Sequence, residues 1–396
     1  MMVSDMEKLA IKGGKPVRTK PFPSWPVFGE KELRLLREVV ESGVWGVGGK
    51  MKEKFERKFA ELQDAKYALT VANGTLAIEV ALRAAGIGKG DEVILPSYTF
   101  VGTASPVVYV NAKPVFVDID PETYCIDPEA VEKAVTERTK AIIPVHVAGQ
   151  PADMDRLTEI AETYNLTLIE DAAQAHCSEW DGRRVGAIGD MGIFSFQSSK
   201  NLNCGEGGAI VTNDDELYRL CWSIHNCGRE LGGEWYRHVR LGGNCRMTEF
   251  QAAILLAQLD RLEEQSRRRE ENALYLTERL SAVSGVEPLK RLPKVTRHSY
   301  HLYIFRYLES EFEGLSRDRF IEALRAEGIP CSPGYTPLHR MDFLNGRVSG
   351  RLENTERACY REAVWLKQNV LLGTREDMDS IVEAIEKIRE NVSQLL

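Results

Sequence analysis

From residue 66 onward the chain alternates, and that alternation restricts it to few folds. Short apolar runs (VILP at 93–96, PVFVD at 114–118, AIIPVHV at 141–147, LTLIED at 166–171) are separated by helical patterns such as DMDRLTEIAETYN. Strands alternating with helices imply a mostly parallel sheet covered on both faces. Two more runs, GIFSFQ at 192–197 and GAIVTN at 208–213, lie close enough to be antiparallel or at the sheet edge. The expected fold class is α/β, a large α/β/α sandwich domain followed by a smaller C-terminal α+β domain.

The flanking segments complete this plan. Residues 1–25 are basic and proline-punctuated and read as an extended arm. KELRLLREVVESG reads as an amphipathic helix with Leu33, Leu36 and Val40 on one face and Gly43 as its stop. MKEKFERKFAEL is a second helix, with Phe55 and Phe59 four apart. A long helical pattern from Thr248 through LTERL bridges out of the large domain. The remainder mixes strands with amphipathic helices such as SRDRFIEALRAEG. The expected division is an arm at 1–25, a large domain at 26–262 and a small domain at 263–396.

Composition excludes several classes. With 43% hydrophobic and 28% charged residues, the 396-residue chain can bury a sizeable core. A net charge of −8 argues against a nucleic-acid or membrane-surface binder, while leaving room for a small basic site. The eight cysteines form no CxxC pair and suit reduced thiols. The N-terminal segment lacks a signal-peptide core, and no apolar run is long enough to span a membrane. A cytoplasmic enzyme is expected.

Three places can carry chemistry. Lys200, in FSFQSSKNLNCGEGGA, follows a strand and precedes a glycine-rich turn, so it can reach a cofactor at the strand end; alone, it also reads as an exposed loop lysine. Asp171 closes a buried strand, where open α/β sheets bind ligands, and reads equally as a helix N-cap. Asn73, Gly74 and Thr75 open a helix whose free N–H groups favour a phosphate, or are simply its cap. There is no GxxxxGK[ST], GxSxG or HExxH, and GIGKGD at 86–91 follows a helix, which makes it a turn. His146 and His176 read as pocket or packing residues rather than metal ligands.

Together, NGTLAIEVAL, GDEVILPSYTFVGTA, PVHVAGQPADMD, IEDAAQAHCSEW, FSFQSSKNLNCGEGGAIVTND and GGNCRMTEFQAAILLAQL resemble, in this order, the fold-type I pyridoxal-phosphate (PLP) enzymes. More narrowly they resemble the DegT/DnrJ/EryC1/StrS sugar aminotransferase family, from about Phe22 through His339. The resemblance implies pyridoxal 5′-phosphate as cofactor, Lys200 as the Schiff-base lysine and Asp171 as partner of the pyridine nitrogen. It further implies that Gly74, Thr75 and Ser195 hold the phosphate and that Phe100 stacks on the ring. Gln174 would lie by the 3-hydroxyl side, and Asn244 would reach the phosphate of a second subunit in a homodimer with shared sites. Gln197 and His339 are placed on the substrate side.

The implied reaction moves an amino group from glutamate or glutamine to a ketone on a sugar or cyclitol ring. Gln197, Ser198 and Ser199 stand where common family members have His-Pro-Thr or Tyr-Pro-Thr, and Cys245 replaces a Tyr. With FPSWPVFG and NCGRE, these departures resemble the ketocyclitol aminotransferase and 3-amino-5-hydroxybenzoate synthase branch. The neutral Gln197 amide either faces the acceptor pocket, where it suits ring hydroxyls, or only braces its loop; the first reading, with the net acidity, favours an acceptor not linked to a nucleotide. Arg229 and Arg237 are the local basic residues available for a nucleotide. The alternatives are an aromatising synthase, another PLP lyase or dehydratase, and a catalytically silent PLP sensor. Lys200 opposes the dehydratase branch, and the short arm leaves no room for a DNA-binding domain.

Overall fold

The β-branched and apolar runs assemble into one twisted sheet. A computed structural model describes residues 8–396, so the first seven residues of the expected arm lie outside the described residues. Its strands are β1 (Tyr67–Val71), β2 (Glu92–Pro96), β3 (Lys113–Val117), β4 (Thr139–Ile142), β5 (Thr167–Asp171), β6 (Met191–Ser195) and β7 (Gly208–Thr212), in the order β1-β7-β6-β5-β4-β2-β3. β2 through β6 run parallel, whereas β7 is antiparallel to both β1 and β6. The carboxyl ends of β1, β2, β5 and β6 therefore meet at one edge, where β7 begins.

Aromatic packing fixes one face of this sheet. Phe55 and Phe59 project from the helix Lys50–Leu62 and meet Phe196 and Phe194 edge-on, with ring centroids 5.4 and 5.0 Å apart. Such tilted pairs are the preferred geometry of aromatic quadrupoles. The other face is covered by the helices Gly74–Ala84 and Val101–Tyr109, which bury Ile78, Ala81 and Val107 against Ile193 and Phe116.

The first long helix departs from the expected face. Glu30–Ser42 does stop at Gly43, which adopts a left-handed φ of 66°. The buried stripe, however, is Glu32, Leu35 and Val39; Leu33 and Val40 are 53% and 55% exposed, and only Leu36 of the expected three is partly buried. The stripe turns by one residue because Glu32 is accommodated inside: Arg261 and Gln258 of the long helix Glu249–Leu280 both donate to its Oε1, at 2.9 and 2.8 Å.

Beyond that long helix, an antiparallel sheet in the order Val286–Pro288, Leu302–Tyr307, Ala363–Lys367, Cys331–Ser332 packs a separate core around Phe305, Phe320 and Ile385. The chain then returns to the first sheet. Arg347–Val348 pairs in parallel outside β3, and Leu338, Leu344 and Leu352 join the core beside Phe116. The described part of the arm lies against the C-terminal helix Arg375–Glu390 through an Arg18–Asp377 ion pair at 2.8 Å. All eight cysteines are free. Among the described residues no helix is long and apolar enough to cross a membrane.

Candidate active site

β5 ends on Asp171, buried at the carboxyl edge, with no helix after it. That removes the N-cap reading. Asp171 Oδ2 accepts from the Thr103 hydroxyl at 2.8 Å, and Oδ1 accepts from the Ala173 N–H at 3.2 Å. Burial pushes the Asp171 carboxyl up, against the pull of Thr103, Ala173 and the Lys200 charge. The site therefore holds a carboxylate whose charge gains from any cation placed against it.

Lys200 lies in the turn after β6, closed by its N–H to the Gln197 carbonyl at 2.9 Å. Burial pushes its ammonium down to about 8, with Asp171 pulling the other way. The side chain is half-buried, so the exposed-loop reading does not describe it, and among the described residues no acceptor takes a hydrogen bond from its Nζ. An amine of this kind is neutral often enough near pH 7 to act as a nucleophile.

The helix Gly74–Ala84 starts where β1, β6 and β7 converge. Asn73 is a true N-cap, its side chain accepting from the Leu76 N–H at 2.9 Å. Capping leaves the first N–H groups, those of Gly74 and Thr75, without intrahelical acceptors. A Cβ on Gly74 would come within 3.0 Å of the Ser195 Cβ, and one on Gly208 within 2.5 Å of the Asn73 carbonyl carbon. The glycines thus let helix start and strand end close around a cradle of N–H donors, with the nearly buried Ser195 beside it. Gly102 lets the Phe100 ring and the Thr75 hydroxyl approach each other, since a Cβ there would lie 2.9 Å from both. Phe100 itself is 59% exposed, an aromatic face at the edge of this cradle. Anion donors, an aromatic face, a buried carboxylate and a depressed amine match the phosphate, ring, ring nitrogen and aldehyde of PLP.

Other expected residues are engaged within the protein. Gln174 accepts from the Ala148 N–H at 2.7 Å and donates to the Tyr335 hydroxyl at 2.7 Å. Tyr335, whose phenol burial pushes up, went unnoticed in the sequence, as did Thr103. Gln197 turns back on its own loop: its Nε2 donates to Ser198 Oγ at 2.9 Å, and its Oε1 accepts from the Ser199 N–H at 2.8 Å. His339 is held between Ser97 Oγ at 2.8 Å and Glu356 Oε1 at 3.1 Å. Asn244 is exposed on a strand bridge to Asn226, anchored by the Ala72 N–H donating to the Cys245 carbonyl at 2.8 Å. Arg229 stacks over Trp235 at 4.0 Å, and Arg237 pairs with Glu230 at 2.9 Å.

The two histidines singled out are structural. His146 donates from Nε2 to Glu170 Oε2 at 2.9 Å, because its Nδ1 accepts from the Ala152 N–H at 3.1 Å. Buried His176, pushed down to about 3 by burial, tilts against Phe194 and Phe196.

Comparison with known proteins agrees with this geometry. Residues 26–386 match the model of the DegT/DnrJ/EryC1/StrS aminotransferase family. A provisionally named L-glutamine:3-amino-2,3-dideoxy-scyllo-inosose aminotransferase of Streptoalloteichus tenebrarius is 44% identical, over 98% of this chain and 99% of its own length. An L-glutamine:2-deoxy-scyllo-inosose aminotransferase of the same organism is 38% identical over 98% and 99%. The crystal structure of a 3-amino-5-hydroxybenzoic acid synthase superposes with a TM-score of 0.87 at 36% identity, covering 96% of this chain and 100% of the other.

Proposed function

The chain belongs to the DegT/DnrJ/EryC1/StrS aminotransferase family, and from that membership we propose that it carries an amino group from L-glutamine to a ketone on a polyhydroxylated carbocycle, using PLP. The observation that carries this reading is the meeting of Lys200 and Asp171 at one strand edge beside the Gly74–Thr75 cradle. When bound, PLP supplies the electron sink that makes the donor's Cα–H acidic.

The protein's residues do the rest. The Gly74 and Thr75 N–H groups and the Ser195 hydroxyl would hold the phosphate, and the Phe100 face would serve the ring. The Asp171 carboxylate, tied by Thr103, keeps the ring nitrogen protonated. Gln174, braced by Ala148 and Tyr335, stands on the 3-hydroxyl side. The neutral Lys200 amine would take the proton from the donor's Cα and return it to the cofactor carbon on the far side of the shared nitrogen. Positioned proton transfer of this sort contributes about 10²–10⁴-fold.

The acceptor class rests on the relatives, whose names specify scyllo-inosose ketones and glutamine. The engagement of Arg229 and Arg237 with Trp235 and Glu230 also favours a ring without a nucleotide. On the acceptor side, Gln197 reaches ring hydroxyls by exchanging its Ser199 contacts, and His339 supports the wall through Ser97. The likeness to the aminohydroxybenzoate synthase structure favours a second reading, aromatisation of an aminated carbocycle. We place the enzyme in the cytoplasm as a homodimer. Its apolar exposed side chains Phe28, Leu33, Val40 and Trp45 suit burial against a second copy.

The deciding experiment aminates the holoenzyme with L-glutamine, then scans nucleotide keto-sugars, free keto-sugars and ketocyclitols for return of the visible band. A ketocyclitol is expected to react fastest. A nucleotide keto-sugar reacting far faster would overturn the acceptor assignment. In Lys200→Ala, loss of both the borohydride-sensitive band and turnover is expected.

A further inference from the structure

The loop that carries Lys200 makes mostly local bonds. Gln197 Oε1 accepts from the Ser199 N–H at 2.8 Å, the Lys200 N–H closes on the Gln197 carbonyl, and the Ser198 N–H reaches the Gly205 carbonyl at 2.9 Å. Two bonds leave the loop, one on each side of the lysine. The Ser198 carbonyl, two residues before it, accepts from the indole N–H of Trp25 in the arm at 3.0 Å. The Asn201 side chain, one residue after it, donates from Nδ2 to the Ser299 carbonyl at 2.7 Å, just ahead of the strand Leu302–Tyr307. That donation fixes the amide, so Asn201 Oδ1 is the acceptor facing His301 Nδ1 at 3.4 Å, and the imidazole carries its hydrogen on Nδ1. Asn201, Ser299 and His301 are all buried.

Both outside partners are anchored in turn. Arm carbonyls on either side of Trp25 are taken by other elements: Asn369 donates to the Pro23 carbonyl at 2.6 Å, and Gln258 of the long helix donates to the Val27 carbonyl at 2.9 Å. Ser299 is seated beside Gly149, which has a left-handed φ of 94° and no side chain; a Cβ there would lie 2.2 Å from Ser299 Oγ. The Ser299 hydroxyl donates to the Gln174 carbonyl at 3.1 Å, and its N–H donates to Ser178 Oγ at 3.1 Å. The lysine's peptide is thus tied on one flank to the arm and on the other to a segment that also holds the backbone of Gln174.

We propose that Trp25 and Asn201 are positioning residues for the Lys200 amine, holding its peptide from both flanks. The proposal rests on the reading of Lys200 as the cofactor-linked lysine given above. A lysine that is released and recaptured in each half-reaction swings on a long flexible stem. If its peptide moved as well, the amine would be spread over a larger volume. Fixing both flanks raises the effective concentration of the amine at the cofactor, which is a gain in rate from orientation alone. Trp25 and Asn201 act on the lysine's backbone rather than on the Gly74–Thr75 cradle, so their effect falls on bond formation by Lys200 and not on how tightly the cofactor is held. This also gives the FPSWPVFG segment a task, since its Trp is the arm residue that bonds to the lysine loop.

The test compares two measurements on the full-length chain. One is capture of PLP by the apoprotein at saturating PLP, followed by the visible band. The other is PLP affinity, by calorimetry, in the Lys200→Ala background, where no bond to the lysine can form. Trp25→Phe keeps an aromatic ring and removes the N–H; Asn201→Leu keeps the bulk and removes the amide. Capture should slow about 3–10-fold in each, the worth of one net hydrogen bond. In the Lys200→Ala background each should leave PLP affinity unchanged. Unchanged capture in either variant overturns the two-sided hold. A fall in PLP affinity in the Lys200→Ala background as large as the fall in capture rate also overturns it, because the residues would then shape the pocket as a whole. Should Asn201→Leu not fold, Trp25→Phe decides by the same two measurements. If Lys200→Ala still forms the borohydride-sensitive band, the reading of Lys200 itself is lost; if that band is absent and the variants capture PLP at the wild-type rate, only the positioning role is lost.

Discussion

The Thr103 hydroxyl donates to Asp171 Oδ2 at 2.8 Å, from a helix 68 residues earlier in the chain. Since its hydrogen goes to the carboxylate, Thr103 Oγ1 must accept from Thr99 Oγ1, 2.9 Å away. The pair forms a short relay of hydroxyls that stabilises the charged form of Asp171 against burial.

Turnover should collapse in Asp171→Asn with the fold intact, because the amide keeps the shape and loses the charge. Thr103→Val is the finer probe. It removes one hydrogen bond to a charged group, about 1.5–3 kcal/mol, or roughly 10–100-fold in rate. Losing that bond also lets the carboxyl rise further, so the acidic limb of the kcat/KM profile should move to higher pH. An unchanged acidic limb would show that Thr103 only fills space.

The pH dependence of cofactor capture follows from Lys200. With its ammonium at about 8, only about one-tenth is neutral at pH 7, and the neutral fraction grows about tenfold across the next two units. Capture of PLP by the apoprotein, followed by the visible band, should therefore accelerate with pH, reach half its limit near 8 and level off about a unit above that. Asp171 is the charge that pulls the lysine upward. In Asp171→Asn the rise should begin at lower pH, and a rise at higher pH would contradict this electrostatic account.

Much of this was legible because strand ends in alternating β/α chains face one edge. Lys200, Asp171, Ser195 and Gly74 each follow or close an apolar run, and the sheet order brings the runs together. What stayed hidden arrives from elsewhere. Thr103 comes from a helix on another strand's exit, and Tyr335 reaches Gln174 from 161 residues away. Arg347–Val348 is a two-residue strand, too short to carry a period, so the return of the chain to the first sheet left no trace in the pattern. The helix Glu30–Ser42 has apolar residues on two faces, and hydrophobic spacing alone could not reveal that Arg261 and Gln258 would draw Glu32 inward.

Glu170 makes a stability prediction with a definite sign. Burial would raise its carboxyl, but the His146 ring and the Gly186 and Gly189 N–H groups outweigh burial and hold it below its ordinary value. A depressed carboxyl contributes stability above its unfolded pKa and loses it as pH falls through the folded value. Glu170→Gln should cost about 1.5–3 kcal/mol near pH 7, as losing a hydrogen bond to a charged group does. In urea unfolding, the gap between wild type and variant should narrow as pH drops below the ordinary carboxylate range. A gap that stays constant well below the ordinary carboxylate range would show that shape, not charge, makes the contribution.

Assembly gives the last test, through Asn244. Its side chain is exposed and has no hydrogen-bond partner among the described residues, yet its backbone is held between Asn226 and the Ala72–Cys245 contact. A fixed amide facing outward suits a role on another subunit. If it holds the neighbouring subunit's phosphate, each site in a homodimer takes Lys200 from one chain and Asn244 from the other. Mixing Lys200→Ala with Asn244→Ala then creates heterodimers in which one site has both residues and the other has neither. With random exchange half of the dimers are mixed, so about one quarter of all sites should regain activity. Subunit exchange is verified by mass spectrometry of differently tagged chains. Exchange without recovered turnover would mean that each subunit completes its own site, and that Asn244 acts within its own chain.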